Sequence, residues 1–194
     1  YSLTGGEKYL ECENYYTNET VRIPLDETKN AMENAKRYFD KYAKLKRTFE
    51  ALTVQIRETK EEIDHLESIS NALDIARQEA DLVSIKQELT EYGYMKRHAS
   101  KSKEKSPGKS KPLHYLSSDG FHMYVGKNNY QNEELTFKFA NGGDWWFHAK
   151  KAAGSHVIVK TEGQELPDRT FEEAAALAAY YSTARDQTKV EVDY

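Results

Sequence analysis

Two adjacent tryptophans lie in a short aromatic and charged segment, Asp144-Trp145-Trp146-Phe147-His148-Ala149-Lys150. Gly154-Ser155-His156 follows it, and a polar run, Gly126-Lys127-Asn128-Asn129-Tyr130-Gln131-Asn132, precedes it. A hydrophobic core uses aromatic side chains but has little need for so many amides. A surface that binds RNA uses both, because aromatic rings stack on unpaired bases while amides and lysines contact base edges and phosphates. These segments therefore favour RNA binding.

The residue types suggest a division of roles within such a surface. Amide side chains offer paired donors and acceptors to base edges, and aromatic rings offer stacking faces. Side chains alternate along a strand, so Trp146 shares a face with His148 and Trp145 shares the opposite face with Phe147. We expect the His148 face to be functional. Phosphate contacts are predicted for Lys127, Lys150, Lys151 and Arg185, and stacking for Tyr130 and the tryptophans.

The same segments also admit an enzymatic interpretation. Asp144, His148 and Ser155 are the residue types of a catalytic triad. However, Ser155 leads into a predicted strand, whereas a nucleophile is usually presented on a sharp turn or at a helix N-terminus. A zinc site lacks its usual ligand spacing around His148 and His156. We therefore expect no catalytic residue, no metal and no cofactor, with a hydrolase kept as an alternative.

Composition limits the class of protein. Of 194 residues, 38% are hydrophobic and 31% are charged, which indicates an elongated, exposed element beside any core. Cys12 is the only cysteine, which excludes an intrachain disulfide and fits a reducing compartment. No apolar run approaches the roughly 18 residues expected of a membrane span. We expect a cytoplasmic protein without membrane contact, and both ends of the chain resemble cuts through a longer protein.

A basic segment divides the chain. Residues 96–112 contain seven Lys and Arg against Glu104 alone, so the remainder carries a net charge of −10. This composition predicts a solvated linker, and its lysines would add salt-sensitive affinity for phosphates if they contact nucleic acid.

The N-terminal half predicts a β-hairpin and a long helix. Residues 8–12 and 20–23 are typical of strands joined by a turn, and Asp26 or Thr28 is the expected helix cap. Apolar residues at heptad spacing then form a stripe along the predicted helix: Tyr38, Tyr42, Leu45, Phe49, Leu52, Ile56, Ile63 and Leu66. Such a stripe needs a partner helix, which would come either from upstream of Tyr1 or from a second copy of the chain. A shorter helix is predicted from Asp81 to Gly93.

The C-terminal third predicts one module of mixed α/β structure. Residues 113–116 and 121–125 flank Asp119-Gly120 as a hairpin, and residues 145–149 and 155–161 are predicted strands. Thr170-Phe171-Glu172-Glu173 has the pattern of a capping box, which predicts a helix from there to about Arg185. The segment 132–139 is compatible with either a strand or a helix.

Motifs in both parts of the chain resemble the bacterial NFACT family. The C-terminal motifs resemble its NFACT-R domain: residues 117–132, 144–149 and 154–157, Glu173-Ala174-Ala175, Tyr180-Tyr181-Ser182 and Val192-Asp193-Tyr194. Residues 21–26, 34–39, 44–46 and 88–94 resemble its middle coiled-coil region. The resemblance implies an α+β protein with a β tip at 1–26, a coiled-coil arm at 27–95, a linker at 96–112 and NFACT-R at 113–194. It also implies absent N-terminal domains, a missing partner helix and an incomplete NFACT-R.

The family resemblance implies a role in ribosome quality control. Its members bind obstructed large ribosomal subunits, recruit alanyl-tRNA and promote untemplated alanine tailing, while the ribosome makes the peptide bonds. The arm would reach rRNA and protein at the stalk base, and NFACT-R would bind RNA. Carried over by position, the polar signature falls on Lys127, Asn128, Asn129, Gln131, Asn132, Asp144, His148, Ser155 and His156. With Trp146, Lys150 and Arg185 these are the candidate RNA-binding residues; a surface fibronectin-binding adhesin is the main alternative.

Overall fold

A computed structural model describes residues 6–96, 108 and 110–194. Most of the predicted basic linker therefore lies outside the described residues. The chain divides into two compact units, one up to Thr59 and the other from Lys60 onward. Helices and antiparallel sheets occur together, which confirms the α+β class. None of the helices in the described ranges is both long and apolar enough to cross a membrane.

The first unit begins with the predicted hairpin. Strands β1 (Tyr9–Glu13) and β2 (Thr20–Pro24) pair antiparallel, which confirms the prediction for both segments. The side chain of Asn14 accepts a hydrogen bond from the Tyr16 amide at 3.0 Å, and Asn18 has a positive φ of 54°. Asparagine suits both positions, because its short side-chain amide can form hydrogen bonds with the nearby backbone and because it adopts a positive φ more readily than most residues.

Helix α1 (Ala31–Ile75) starts later than the sequence suggested. Asn30 accepts from the Glu33 amide at 2.9 Å while the Glu33 carboxylate accepts from the Asn30 amide at 2.9 Å, which is a reciprocal cap. The prediction of Asp26 or Thr28 as the cap was wrong. Asp26 instead accepts from the Thr28 amide at 3.1 Å in the turn before the helix.

The apolar stripe of α1 is exposed in the first unit. Phe49 retains 73% of its surface, and the other stripe members between Tyr38 and Ile56 are also exposed. Coiled-coil pairing of this stripe therefore stays a prediction.

The second unit starts with a helical hairpin. The last turns of α1 pack against α2 (Glu79–Glu91) through Ile69, Ala72 and Ile85. Helix α2 begins two residues before the predicted Asp81, because the Asp81 carboxylate accepts from the amides of Arg77 and Gln78 and thereby caps the helix from within its first turn. The helix ends just before Gly93, whose φ is +82°.

A five-stranded antiparallel sheet forms the rest of the unit. Its strands are β3 (Leu113–Leu116), β4 (His122–Val125), β5 (Trp145–Ala149), β6 (Val157–Lys160) and β7 (Val192–Asp193), in the order β3-β4-β6-β5-β7. The predicted β3–β4 hairpin is confirmed, with Gly120 at a φ of +87° in its turn. Phe147, Val157 and Val125 form a buried row on one face.

Helix α4 (Asp168–Tyr180) covers this buried face with Ala174 and Ala178. It differs from the prediction at both ends. Thr170 is buried inside the first turn, where its hydroxyl lies 2.8 Å from Asp119 Oδ2, so it is not the cap. The helix also ends five residues before Arg185, at a C-cap on Tyr181.

The ambiguous segment between β4 and β5 is helical. Helix α3 (Asn129–Glu134) continues directly into a five-residue π-helix, Leu135–Phe139. The π-helix packs toward the other face of the sheet, since the Phe139 ring lies 4.7 Å from that of Tyr124.

Candidate nucleic-acid interface

A cleft of about 540 Å³ opens within the second unit. Its walls come from the end of α1, from α3 and from the loop that joins β5 to β6. The volume falls within the roughly 300–1,000 Å³ typical of small-ligand sites. The lining residues are Asp64, Glu67, Ser68, Asn129, Asn132, His148, Lys151, Ala152, Ala153, Gly154 and His156. Four predicted RNA-binding residues, Asn129, Asn132, His148 and His156, therefore meet in one place.

Two neutral histidines form the sheet side of the cleft. The rings of His148 and His156 lie 5.2 Å apart at a steep angle, and the Trp146 ring contacts both. Burial, followed by the repulsion from His148, lowers the pKa of His156 to about 4, and burial also lowers the pKa of His148. Both imidazoles are therefore uncharged at neutral pH. Their polar atoms can donate or accept but add no positive charge for phosphate.

Asn129 has a defined amide orientation. Its Nδ2 lies 2.7 Å from Ser68 Oγ and 2.6 Å from Glu88 Oε1. Ser68 donates its own hydroxyl hydrogen to the His65 carbonyl at 2.7 Å, so its oxygen must accept from Asn129. The carboxylate of Glu88 can only accept. Both neighbours therefore require the NH₂ group, and the Asn129 carbonyl oxygen remains as an acceptor.

Asn132 fixes the floor of the cleft. Its Oδ1 accepts from the His156 amide at 3.0 Å, and its Nδ2 donates to the Gly154 carbonyl at 3.2 Å. A Cβ on Gly126 would lie 2.2 Å from this Oδ1, and a Cβ on Gly154 would lie 2.9 Å from Ser182 Cβ. Close approach therefore requires glycine at both positions. Asn132 ties α3 to His156, the residue just before β6.

Lys127, Asn128 and Gln131 of the polar run are buried and have internal partners, and the half-buried Tyr130 donates its hydroxyl hydrogen to Glu91. Asn128 caps α3 by accepting from the Gln131 amide at 3.0 Å, and Gln131 accepts from the Lys127 amide at 3.0 Å. Lys127 pairs with Asp81, and both side chains are nearly inaccessible. Burial would raise the pKa of Asp81, but the hydrogen bonds from Lys127, Ser110 and two backbone amides outweigh it and lower that pKa to about 2. This ion pair fastens the start of α3 to α2.

Asp144 lies outside the cleft. Its carboxylate pairs with Lys160 and accepts from the amides of Asn141 at 2.7 Å and Thr161 at 3.1 Å. Burial would raise the pKa of Asp144, but the hydrogen bond from Lys160 and those from the two amides together lower it. Asp144 therefore shapes the turn that starts β5.

The other predicted residues lie near or beyond the cleft. Ser155 is 1% exposed, and its Oγ has no hydrogen-bond partner among the described residues. Lys150 is exposed, precedes the cleft residue Lys151 in sequence and lies 3.4 Å from Asp193. Arg185 pairs with Asp74 at 3.0 Å. A Ser155 hydroxyl buried in this way is neither bonded to His148 nor open to a substrate, so the triad does not assemble in this geometry.

Sequence reasoning missed the wall that α1 contributes. Asp64, Glu67 and Ser68 lie more than 60 residues before α3 and were interpreted only as part of a helical arm. They lie on one face of the helix, and such a face can pack against another element. The nearby sequence does not indicate that this element is α3. Only the tertiary structure brings them to the cleft.

Comparisons with known proteins cover the whole chain. Residues 1–107 match the family described as NFACT N-terminal and middle domains, and residues 111–194 match the NFACT protein RNA binding domain. The chain is 43% identical over its full length to the Rqc2 homolog RqcH of Streptococcus suis and 39% identical to that of Bacillus subtilis. It spans about a third of these relatives, 34% of each.

More distant and structural relatives agree with this. The human ribosome quality control complex subunit NEMF is 35% identical over 38% of the chain, which is 7% of NEMF. A solved structure of the C-terminal part of the fibronectin/fibrinogen-binding protein from Streptococcus suis has a TM-score of 0.71 and 45% identity. It covers 86% of this chain, which in turn covers 66% of that one.

Proposed function

The chain belongs to the NFACT family, and we propose that it is part of a ribosome quality-control factor and binds RNA through the cleft of its second unit. The names of its relatives support the first part, and the match of residues 111–194 to the RNA binding domain supports the second. One structural observation carries the proposal: Asn129, Asn132, His148 and His156, separated in sequence, line one cleft beside Lys151.

The cleft has the chemistry needed to hold single-stranded RNA. Amide and imidazole groups can bond base edges, since unpaired bases are recognised through their polar edges and by stacking. The exposed Lys150 and Lys151 follow β5 directly, and Lys151 lines the cleft, so both can contact phosphates of a strand bound there. Trp146 packs against both histidines and holds them in place.

The predicted binding residues take two roles in this proposal. Asn129, His148 and His156 contact RNA, and Lys150 borders the contact. The others act through position, because they are buried or engaged: Lys127, Asn128, Gln131, Asn132, Asp144, Trp146, Ser155 and Arg185.

The family is also the basis of a more detailed proposal, which concerns the full-length protein. We propose that the full-length protein acts in the cytoplasm on large ribosomal subunits that carry an obstructed nascent chain. It would recruit alanyl-tRNA and promote untemplated alanine tailing, with the ribosome forming the peptide bonds. The α1 region would pair with an upstream coiled-coil helix and reach rRNA and protein at the stalk base.

A fibronectin-binding adhesin is the alternative from a different class. Its support is the name of the structural relative from Streptococcus suis. An adhesin would bind fibronectin through a protein-binding surface, and its affinity need not depend on the lysines beside the cleft. A single experiment can therefore compare the two functions.

The test is equilibrium binding of the chain to purified large ribosomal subunits, tRNA and fibronectin across a salt series. The informative variant is Lys150→Glu with Lys151→Glu, which reverses the charge at the cleft rim. A matched control is Lys138→Glu with Lys189→Glu, two exposed lysines of the same unit that do not line the cleft.

We expect salt-sensitive binding to tRNA or to the subunit, reduced at least tenfold by the rim variant and little changed by the control. Equal losses in both variants would place the contact elsewhere in the chain. Binding to fibronectin alone, at any salt concentration, would favour the adhesin and overturn the proposal.

A further inference from the structure

The two sides of the cleft differ in charge and in hydrogen-bonding capacity. The α1 side presents the carboxylates of Asp64 and Glu67, both exposed, and the opposite side carries Lys151 and the two neutral imidazoles. Phosphate is repelled by the first side and attracted by the second. A nucleotide bound here is therefore oriented, with its phosphates toward Lys151 and its base toward α1.

The α1 side and the floor beside it offer acceptors. Asp64 and Glu67 are acceptor-only while ionised. Asn129 turns its amide nitrogen to Ser68 and Glu88, which leaves its carbonyl oxygen as the available group. The base edge that meets this wall must supply donors.

The three groups come from two elements that are held together. Asn129 at the start of α3 is bonded to Ser68 on α1 and to Glu88 on α2. His65 Nε2 also lies 2.9 Å from Glu88 Oε1, so one carboxylate oxygen joins both helices of the hairpin to α3. The carbonyl oxygen of Asn129 is therefore positioned before any ligand binds, which reduces the entropy lost on binding.

We propose that the cleft selects an unpaired base with an exocyclic amino group, which is cytosine, adenine or guanine, and disfavours uracil. Cytosine presents an N4 amino group, and carboxylates are the side chains that accept from it. Uracil presents a carbonyl at the same position, which would face the carboxylates and be repelled. The inference rests on the proposed RNA binding and adds base specificity to it.

A cationic side chain of a protein partner also fits carboxylates. The cleft favours a base over such a partner because Lys151 would repel a second cation and because the uncharged imidazoles of His148 and His156 on the other wall give that cation no anionic partner. Only a ligand with an anionic end and a donor edge uses both sides.

The test is the affinity of the chain for fluorescein-labelled oligocytidylate and oligouridylate of equal length, measured by anisotropy. Both are pyrimidine strands of equal charge, so their difference reports base recognition rather than phosphate contacts. We expect oligocytidylate to bind roughly tenfold more tightly, the scale of one well-formed base contact. A high-salt series should weaken both strands in parallel and leave their ratio unchanged.

The variant Asp64→Asn with Glu67→Gln separates the inference from the proposed function. Amides both donate and accept, so the ratio of the two affinities should fall toward one while binding itself persists. Both residues are exposed, and the matched control is Glu58→Gln with Glu62→Gln on the same helix, outside the cleft, which should keep the preference.

The outcomes are distinct. Equal affinity of the wild-type chain for the two strands, or a preference that the cleft variant leaves intact, would overturn the inference and leave RNA binding standing. Failure of both strands and of tRNA to bind at low salt would overturn the proposed function together with it.

Discussion

Single residues around the cleft divide into those that face it and those that hold it. Asn129 and His156 face the cleft. The polar groups of Lys127, Gln131 and Asp144 instead form hydrogen bonds or ion pairs within the protein. The residue types gave no means of separating the two groups, because an amide that caps a helix and an amide that bonds a base are the same residue. Burial and hydrogen-bond partners separate them.

The buried hydroxyl of Ser155 leads to a prediction about stability. Its hydroxyl is buried without a hydrogen-bond partner in the described part of the chain, and such a group opposes folding. We expect Ser155→Ala to keep the free energy of unfolding unchanged or to raise it by about 1 kcal/mol, and to leave RNA affinity within a factor of about two. Urea denaturation and tRNA titration measure both. A loss of several kcal/mol would show that the hydroxyl has a partner.

The two cleft histidines predict a pH dependence of stability. The unfolded chain takes up a proton near the ordinary pKa of 6.5, whereas burial lowers the pKa of His156 to about 4 in the folded chain. The free energy of unfolding should therefore fall as the pH decreases from about 6.5 toward 4. His156→Gln should reduce the slope of that fall, as measured by urea denaturation at several pH values. Parallel curves for the variant and the wild type would contradict the assignment.

At the scale of elements, local chemistry decided which predictions were confirmed. The β3–β4 hairpin follows from Asp119-Gly120, because glycine adopts the positive φ that the turn requires. The cap of α1 was misplaced because Asp26 makes its own turn before the helix. The segment 135–139 resisted assignment because a π-helix follows neither the strand period nor the α-helix period.

The ion pair between α2 and the start of α3 predicts a large stability effect. Lys127 and Asp81 are 6% and 1% exposed, so removal of Lys127 leaves the Asp81 carboxylate buried without its opposite charge, although Ser110 and two backbone amides still bond it. We expect Lys127→Met to lower the free energy of unfolding by roughly 3–5 kcal/mol. The double variant Lys127→Met with Asp81→Asn should recover part of that loss. If chemical denaturation shows that the stability losses of the two single variants add up in the double variant, the two groups act independently.

The exposed stripe of α1 predicts association. Apolar side chains at heptad spacing, such as Phe49 and Leu52, are exposed on α1, and such a stripe is typical of a helix that pairs with another helix. We expect copies of this chain to associate reversibly in sedimentation velocity, and Phe49→Lys with Leu52→Lys to abolish association. Ala51→Lys with Val54→Lys adds the same charge outside the seam and is the control. A monomeric wild-type chain at high concentration would contradict this expectation.

For the whole molecule, the sequence predicted the family and the α+β class. It did not predict the full set of residues that line the cleft. Motifs spread over both halves of the chain identified the family, since each motif is local. The cleft depends on Asp64 and Glu67 meeting His148 and His156, which lie 81 to 92 residues further along the chain. No local pattern predicts such a meeting, because it depends on how α1 packs against α3.

The histidines of the second unit can report directly whether RNA binds in this cleft. His148 and His156 line the cleft, whereas His114 and His122 form a pair, 2.8 Å apart, on strands β3 and β4 outside it. We would follow the imidazole proton resonances of both pairs by NMR during a titration with tRNA. If RNA occupies the cleft, the resonances of His148 and His156 shift or broaden while those of His114 and His122 stay in place. Shifts confined to His114 and His122, or binding that moves neither pair, would contradict binding in the cleft.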